Sequence, residues 1–449
     1  MPASTVRLSH RRQATYSLGE SGIAATEIFV QLFLYEYYVA LIGLSPIKAG
    51  LAFALAAVWD ALSDPLLGYW SDRRRQTGGS RTAFLWAGVL LIPLGLAATF
   101  QTPPEAGQWT LFAQLLSAYL LLNTGTTCFA VPHLSLAADV PLSQTGRNRL
   151  FGWRFLLSNV GIILALVINA TWAQSATLAQ SRQSASLILS ACVALLLVGC
   201  LPACYALQRQ SPPEKTKRSP FALSDFAALL PRIASQRVFQ VLFIAFCLAA
   251  IARALNASLA LLYYRYCLEI TDESFINGIL LVFVVTLMAA VPLWLWIARR
   301  LGRRRPAFFG ILALALMTLL VYPNLDPGIG AGLYAVSLFA GLCAAAVFLM
   351  EALFADHCHN QSQASGENRE GLYFGLWRMA YKLARALGLL LTGFLLQWVG
   401  FREGSAEQSS ETIEGLYFLF GPVVGLIFLA SAISLLFLTK EAKDSSVSS

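Results

Sequence analysis

Residues 49–70 read AGLAFALAAVWDALSDPLLGYW, an apolar run broken by two carboxylates, Asp60 and Asp64. A charged side chain at the centre of a bilayer costs about 2.5–3.5 kcal/mol on insertion scales unless it is paired, hydrated or bound to a cation. Two carboxylates at i and i+4 project from one face of a helix. The functional reading is a cation site for Na⁺ or H⁺ on an ion path. The competing reading is a pair buried against basic neighbours for helix assembly alone.

The rest of the chain extends the apolar pattern. Of 449 residues, 57% are hydrophobic and only 12% charged, whereas soluble domains carry about a quarter charged residues. A span needs about 20 apolar residues, and the chain offers about twelve such stretches. Their expected bounds are 16–42, 48–71, 82–100, 108–133, 150–173, 185–207, 238–266, 275–298, 306–323, 330–355, 371–399 and 414–438. In lipid every backbone polar group must be satisfied within its own segment, so each is expected to be a helix. The fold class is an all-α membrane protein with twelve transmembrane helices. His10, Arg11 and Arg12 precede a first span too long for a signal-peptide core, and a cleavable signal is not expected.

The net charge of +8 is a matter of topology and not of nucleic-acid binding. Basic residues gather at the N-terminus (Arg7, Arg11, Arg12), in alternate loops and in the tail (Lys440, Lys443). Those loops hold Arg73, Arg74, Arg75 and Arg81; Arg147 and Arg149; the stretch from Arg209 to Arg237; the cluster Arg299–Arg305; and Arg369. The opposite loops offer Lys48, Arg182 and Arg402, with Arg265 near a helix end. The positive-inside rule then puts both termini in the cytoplasm, which requires an even number of spans.

The longest polar stretch separates six spans from six. The expected organisation is an N-terminal six-helix bundle over 1–207, a cytoplasmic linker over 208–237, and a C-terminal six-helix bundle with a cytoplasmic tail over 238–449. A basic turn containing glycine follows both the second span (Gly68–Arg75) and the eighth (Ala298–Arg305). Two repeats with a site at their interface describe a secondary transporter. No phosphate-cradling G-x-x-x-x-G-K-[ST] loop and no hydrolytic constellation is present, so neither a pump nor an enzyme is expected, and no catalytic residue is assigned. The cysteines are read as small apolar residues, Cys200 and Cys204 included, although the latter two share a helix face. His133 is placed near a helix end, and the His357-Cys358-His359 triplet in a solvated turn; no metal site is assigned. Tyr35, Tyr37 and Tyr38 are read as an interfacial aromatic belt.

Residues 59–82 read W-D-A-L-S-D-P-L-L-G-Y-W-S-D-R-R-R-Q-T-G-G-S-R-T and carry the pattern D-A-x-x-D-P-x-x-G-x-x-x-D-R. This resembles the second helix and following loop of the glycoside–pentoside–hexuronide:cation symporters, a branch of the major facilitator superfamily typified by the melibiose permease. Three further stretches resemble the family in order: Tyr16–Gly19 with Gly43–Pro46, Val131–Arg154, and Ala355–Gly388. The resemblance implies a major facilitator fold of two six-helix bundles working by alternating access. It implies that Asp60 and Asp64 hold the coupling cation, together with Ser63 and a helix-four hydroxyl, Thr127 or alternatively Thr126. Carboxylates, hydroxyls and water suit a hard cation and suit proton exchange equally. Arg154 matches a helix-five arginine, and Lys382 a helix-eleven lysine near the cation site. Asp72 with Arg73, and Asp139 with Arg147 and Arg149, are read as a cytoplasmic gate network in preference to a solute site.

The departures concern the solute. Where the melibiose permease grips a galactoside with two aspartates beside a tryptophan, this chain has Ala24, Ala130 and Leu134. Arg378 and Arg385 stand where the family has glycines, and with Lys382 they form one basic stripe at i, i+4 and i+7. Arg253 and Asn256 add polarity to helix seven; Glu27 and Glu351 either take part in the site or neutralise those bases. Glu36 is another acid that could absorb the stripe's charge. Guanidinium forks bind carboxylate, sulfonate or phosphate in two-pronged fashion.

The expectation is therefore a monomeric, multi-pass plasma-membrane carrier (the inner membrane in a bacterium). Its partners are a small solute, a monovalent cation and the lipid bilayer, with no nucleic acid and no cofactor beyond the coupling ion. It would take up a sugar-like or anionic solute with Na⁺ or H⁺. The alternatives are a lysophospholipid or other amphiphile as solute, or a receptor or scaffold without turnover. The loop charges make a prediction about sidedness. A membrane-impermeant thiol reagent applied to intact cells should label a cysteine introduced within Gly404–Glu414 and spare one within Gln208–Arg237. The reverse pattern would sink the orientation.

Overall fold

The computed structural model describes residues 8–77, 79–103, 106–140, 142–171, 177–210, 235–365 and 370–438. Most of the expected linker, Arg369, the tail lysines and the side chains of Asp72, Asp139 and His359 lie outside the described set. The described regular structure is helical. Its long segments are α1 (10–41), α2 (Pro46–Gln76), α3 (Thr82–Phe100), α4 (Gln108–Asp139), α5 (Gln144–Thr171) and α6 (Leu178–Gln210). They continue with α7 (Arg237–Cys267), α8 (Glu273–Leu301), α9 (Arg304–Leu320), α10 (332–365), α11 (Glu370–Trp398) and α12 (Ser410–Phe437).

Among the described residues, 11 helices are long and apolar enough to cross a membrane. The remaining long segment, α1, carries Arg11, Arg12, Glu20, Glu27 and Glu36 along its length, which lowers its hydropathy without breaking its helix. Several helices outrun their apolar cores. α2 continues to Gln76, α4 to Asp139 and α10 to residue 365, while α5 begins at Gln144 and α6 at Leu178. Hydropathy marks the hydrocarbon thickness, but the i→i−4 ladder continues into water at little cost. The basic turns accordingly fall out of register. Arg73, Arg74 and Arg75 sit in the last turn of α2, while Arg303 caps the start of α9.

The chain forms two compact units, Met1–Pro220 and Phe221–Ser449. In the first, α1 packs on α5 and α6, α4 on α2 and α3, and α3 on α6. In the second, α7 packs on α11 and α12, α10 on α8 and α9, and α9 on α12. The pairings repeat with an offset of six helices. Glycines set the tightest of them, since without hydrophobic drive between helices in lipid, small residues allow backbones to approach. A Cβ on Gly161 of α5 would collide with the Ser21 carbonyl oxygen of α1. Gly388 of α11 meets α7 in the corresponding way, against Ala254 Cβ at 2.7 Å.

The tyrosines repeat as well. α1 ends in a π-helical turn, Tyr37–Leu41, and α7 ends in another, Tyr263–Cys267. The Tyr37 hydroxyl donates to the carbonyl of Phe100 at the end of α3, and the Tyr263 hydroxyl donates to the carbonyl of Tyr322 just past α9, each at 2.6 Å. The chain exits through Leu44 N–H to Tyr38 carbonyl (2.8 Å) and Ile270 N–H to Tyr264 carbonyl (3.0 Å). The interfacial-belt reading of Tyr35, Tyr37 and Tyr38 is thus corrected. All three are buried, at 2%, 0% and 0% exposure, and their rings fasten α1 inside its bundle.

Arg182 is a second correction. It belongs to α6 and not to a loop, and it is fully buried. Its guanidinium pairs with Glu36 of α1 at 3.0 Å, donates to Asn169 of α5 at 2.6 Å and covers the Phe33 ring. Glu36 is therefore engaged within the first unit. A buried pair of this kind holds because removing one partner leaves an uncompensated charge, at a cost of about 3–5 kcal/mol.

Close packing at Gly161 gives a stability test. Gly161→Ala should lower the melting temperature of the purified protein by several degrees, corresponding to roughly 1–3 kcal/mol of overpacking. Gly152→Ala on the same helix, where no described atom lies within 4 Å of the new Cβ, should not. Equal melting temperatures for the two variants would contradict the α1–α5 geometry.

Candidate functional site

α2 presents Asp60, Ser63 and Asp64 within about one turn, with Pro65 inside the helix. Proline has no N–H to offer the carbonyl of Ala61, so this turn is richer in oxygen than an ordinary one. Ser63 is buried, and Asp60 and Asp64 are half-buried. The Ser63 hydroxyl donates to the Asp60 carbonyl at 3.3 Å.

α4 fixes this turn from across the helix pair. The Asn123 amide donates to the Ala56 carbonyl (3.2 Å), and the Trp59 indole N–H donates to the Thr124 hydroxyl (2.9 Å). The Thr127 hydroxyl, 2% exposed as a residue, lies 3.0 Å from Asp60 Oδ1 and 3.1 Å from the Asn123 carbonyl. Of the two threonines left open by the sequence, Thr127 reaches the carboxylate. Thr126 instead donates to the Leu122 carbonyl of its own helix. Carboxylate, hydroxyl and carbonyl oxygens so gathered suit a hard monovalent cation or a proton.

Arg154 of α5 takes a different partner. It pairs with Glu20 of α1 at 2.5 Å. The same Glu20 oxygen lies 3.1 Å from Nδ1 of His133, a fully buried ring of α4. The Tyr16 ring stacks on His133 with centroids 4.1 Å apart, and its hydroxyl donates to the His133 carbonyl. The sequence reading missed Glu20 altogether and placed His133 at a helix end. An acid in the first apolar stretch was the available signal for Glu20.

His133, Cys200 and Cys204 bring one potential ligand atom each to within 4.8 Å of one another. His133 Nε2 is already 3.1 Å from the Tyr16 carbonyl oxygen, and Nδ1 is held by Glu20. With both ring nitrogens engaged and Arg154 adjacent, this cluster is poorly suited to a metal ion.

In the second unit, Arg253 of α7 lies over the Tyr381 ring of α11, 6.0 Å from its centroid. Glu351 of α10 is within electrostatic reach of Arg253 and Arg378. Arg253, Glu351 and Arg378 are exposed; Asn256, Lys382 and Arg385 are half-buried. Trp377 anchors the stripe, because it is sandwiched between Phe246 and Phe354 at 4.0 Å on each face. Glu27 is exposed on α1, in the other unit. Arg73 and Arg147 are exposed at the ends of α2 and α5, and the acids proposed to meet them fall outside the described side chains. A comparable described pair is Arg303 with Asp356, which ties the start of α9 to α10.

A profile of the family described as MFS/sugar transport protein matches residues 15–440. A zebrafish (Danio rerio) protein named sodium-dependent lysophosphatidylcholine symporter 1-A is 23% identical, over 88% of this chain and 79% of its own. A protein of Escherichia coli strain K12 named putative glycoside/cation symporter YagG is 22% identical, over 96% of this chain and 92% of its own. The mouse sphingosine-1-phosphate transporter MFSD2B is 23% identical, over 93% and 86%. Among solved structures, a point mutant of the nucleoside transporter NupG superposes with a TM-score of 0.69 at 12% identity, covering 95% of this chain and 98% of that one. This last likeness concerns the fold alone.

The α2–α4 geometry separates two neighbouring hydroxyls. Thr127→Val should raise the cation concentration needed for half-maximal thermal stabilisation about tenfold, the loss expected for a hydrogen bond to a charged group. Thr126→Val should leave it unchanged. Equal effects of the two would remove Thr127 from the ligand set.

Proposed function

We propose, for a chain that belongs to the MFS/sugar transport protein family, cation-coupled symport of an anionic or sugar-like small solute by alternating access. It is a multi-pass membrane transport protein and not an enzyme. The observation that carries the reading is the Thr127 hydroxyl against the Asp60 carboxylate, one turn from Asp64 within the same apolar helix. Asp60, Ser63, Asp64 and Thr127 would hold Na⁺ or H⁺. A cation between the two carboxylates removes their repulsion. If the solute-competent state is the one that binds it better, the two ligands share a coupling free energy.

The solute side rests on the second unit. Arg253 of α7 and Arg378, Lys382 and Arg385 of α11 give it a basic composition, and Glu351 stands in the field of Arg253 and Arg378. Arg253 also offers a cation lying over an aromatic face. This composition favours a carboxylate, sulfonate or phosphate over a neutral galactoside, consistent with alanines at 24 and 130 where the melibiose permease has aspartates. A lysophospholipid is the second reading. It is favoured by relatives named as lysophosphatidylcholine and sphingosine-1-phosphate carriers, whose solutes pair a phosphate with an alkyl chain. Both readings place the termini in the cytoplasm and the carrier, as a monomer, in the plasma membrane.

Two measurements test this. In proteoliposomes with an imposed cation gradient, Asp60→Asn and Asp64→Asn should each abolish concentrative uptake while the protein accumulates near normally. Normal uptake in both would refute the cation site. Separately, a thermal-shift screen of sugar acids, organic anions, neutral glycosides and lysophospholipids, with and without Na⁺, should return an anion as the stabilising solute. Arg378→Gln or Arg385→Gln should weaken that solute about tenfold, the scale of one charge-assisted contact. If neither variant changes affinity, the basic stripe is structural and a neutral glycoside becomes the better reading.

A further inference from the structure

His133 sits in an environment that constrains its protonation. Its side chain is fully buried, yet each ring nitrogen faces an oxygen acceptor: Nδ1 the Glu20 carboxylate and Nε2 the backbone carbonyl of Tyr16, both at 3.1 Å. A neutral imidazole has one N–H and one lone pair, so it can satisfy only one of these two acceptors. With the carboxylate already ionised against Arg154 at 2.5 Å, both contacts are satisfied only by the imidazolium.

The surroundings are built around this ring. Tyr16 stacks on one side at 4.1 Å between centroids, and Phe129 is stacked at 5.2 Å. Gly19 eases the approach, since a Cβ there would come within 2.9 Å of the Phe129 ring and 3.1 Å of Nε2. The titratable and charged groups facing the ring are Tyr16 and Glu20 from α1, Arg154 from α5, and Cys200 and Cys204 from α6. From α2, Asp60 meets α4 at Thr127, six residues before His133 along the same helix.

We propose that His133 and Glu20 form a proton-binding site of the first unit, separate from the Asp60–Asp64 site and independent of which cation binds there. The proton comes from water and resides on the imidazole, shared with the Glu20 carboxylate. When it is bound, α1 is fastened to α4 by three bonds: Glu20 to Nδ1, the Tyr16 carbonyl to Nε2, and the Tyr16 hydroxyl to the His133 carbonyl. When it leaves, one ring nitrogen turns a lone pair towards an oxygen, and that contact opens. Arg154 then retains Glu20, so the site's proton occupancy sets how tightly α1 is held to α4. Replacing this proton by a metal ion is disfavoured by the same geometry, because both nitrogens and the carboxylate are in use.

The test uses the full-length protein in lipid nanodiscs, labelled with ¹⁵N-histidine. Ring-nitrogen shifts distinguish imidazolium from either neutral tautomer, and the His133 signal is identified as the one that persists when His10, His357 and His359 are replaced by Gln. Across a pH series His133 should be found with both nitrogens protonated at the acid end and should lose a proton as pH rises. In Glu20→Gln the same transition should move to lower pH by about one unit, the tenfold change expected when a favourable neighbouring charge is removed. A His133 that remains a single neutral tautomer throughout would overturn the proposal, whether or not Glu20→Gln accumulates. So would a transition of unchanged position in Glu20→Gln. Neither result bears on uptake driven through Asp60 and Asp64, so the two readings fail separately.

Discussion

A charge held in hydrocarbon must be answered within reach of its own side chain, and this requirement organises the first unit. Internal charges described there recruit partners from other helices. Glu36 of α1 meets Arg182 of α6. Glu20 of α1 meets Arg154 of α5 and His133 of α4. Asp60 of α2 meets the Thr127 hydroxyl of α4. Each pair costs desolvation and restores it only with good geometry, so these contacts dictate which helices are neighbours and in what register. The glycine contacts then allow the approach that the polar contacts demand.

The distinction between Glu36–Arg182 and Glu20–Arg154 is instructive. Both are carboxylate–guanidinium pairs reaching from α1. The first is fully buried and supplemented by Asn169 and the Phe33 face, leaving the guanidinium heavily engaged. The second retains some exposure, and one Arg154 terminal nitrogen is buried without a hydrogen-bond partner among the described residues. Each guanidinium thus keeps one buried nitrogen without a hydrogen-bond partner among the described residues, Arg154 a terminal one and Arg182 its Nε. What separates the pairs is access: side-chain exposure is 12% and 20% for Arg154 and Glu20 and 0% for both Arg182 and Glu36.

Much of the fold was legible in the sequence, because hydropathy and helix length are local properties. The placing of Asp60 and Asp64 on one helical turn was legible for the same reason, since their spacing is local, whereas Ser63 entered only through the family resemblance. The helix ends were less so, since the backbone ladder runs past the apolar stretch into water. The partners of charged residues were least legible of all. His133 and Glu20 are 113 residues apart, and Arg182 and Glu36 are 146 apart. No local pattern announces that a basic residue counted into a loop will turn inward to meet an acid on the first helix. The tyrosines failed similarly, because an aromatic near a helix end looks the same whether it faces lipid or the bundle.

The repeated π-helical exits of α1 and α7 show what duplication preserves. Their sequences, YYVAL and YYRYC, share only the leading tyrosine pair. Yet in both units the first tyrosine ties its helix to a carbonyl at the end of the third helix of that unit, and the second accepts the returning chain. The charged residues are not repeated in this way. Asp60 and Asp64 have no carboxylate counterpart among the described residues of α8, whose apolar run from Phe275 to Ile297 is uncharged. Conversely, beyond Arg147 and Arg149 in its first two turns, α5 carries only Arg154 where α11 carries the basic stripe. Packing devices are therefore held in common by the two units, while the polar groups have diverged, acidic on α2 and basic on α11. That division is what a carrier needs if one repeat receives a cation and the other an anion.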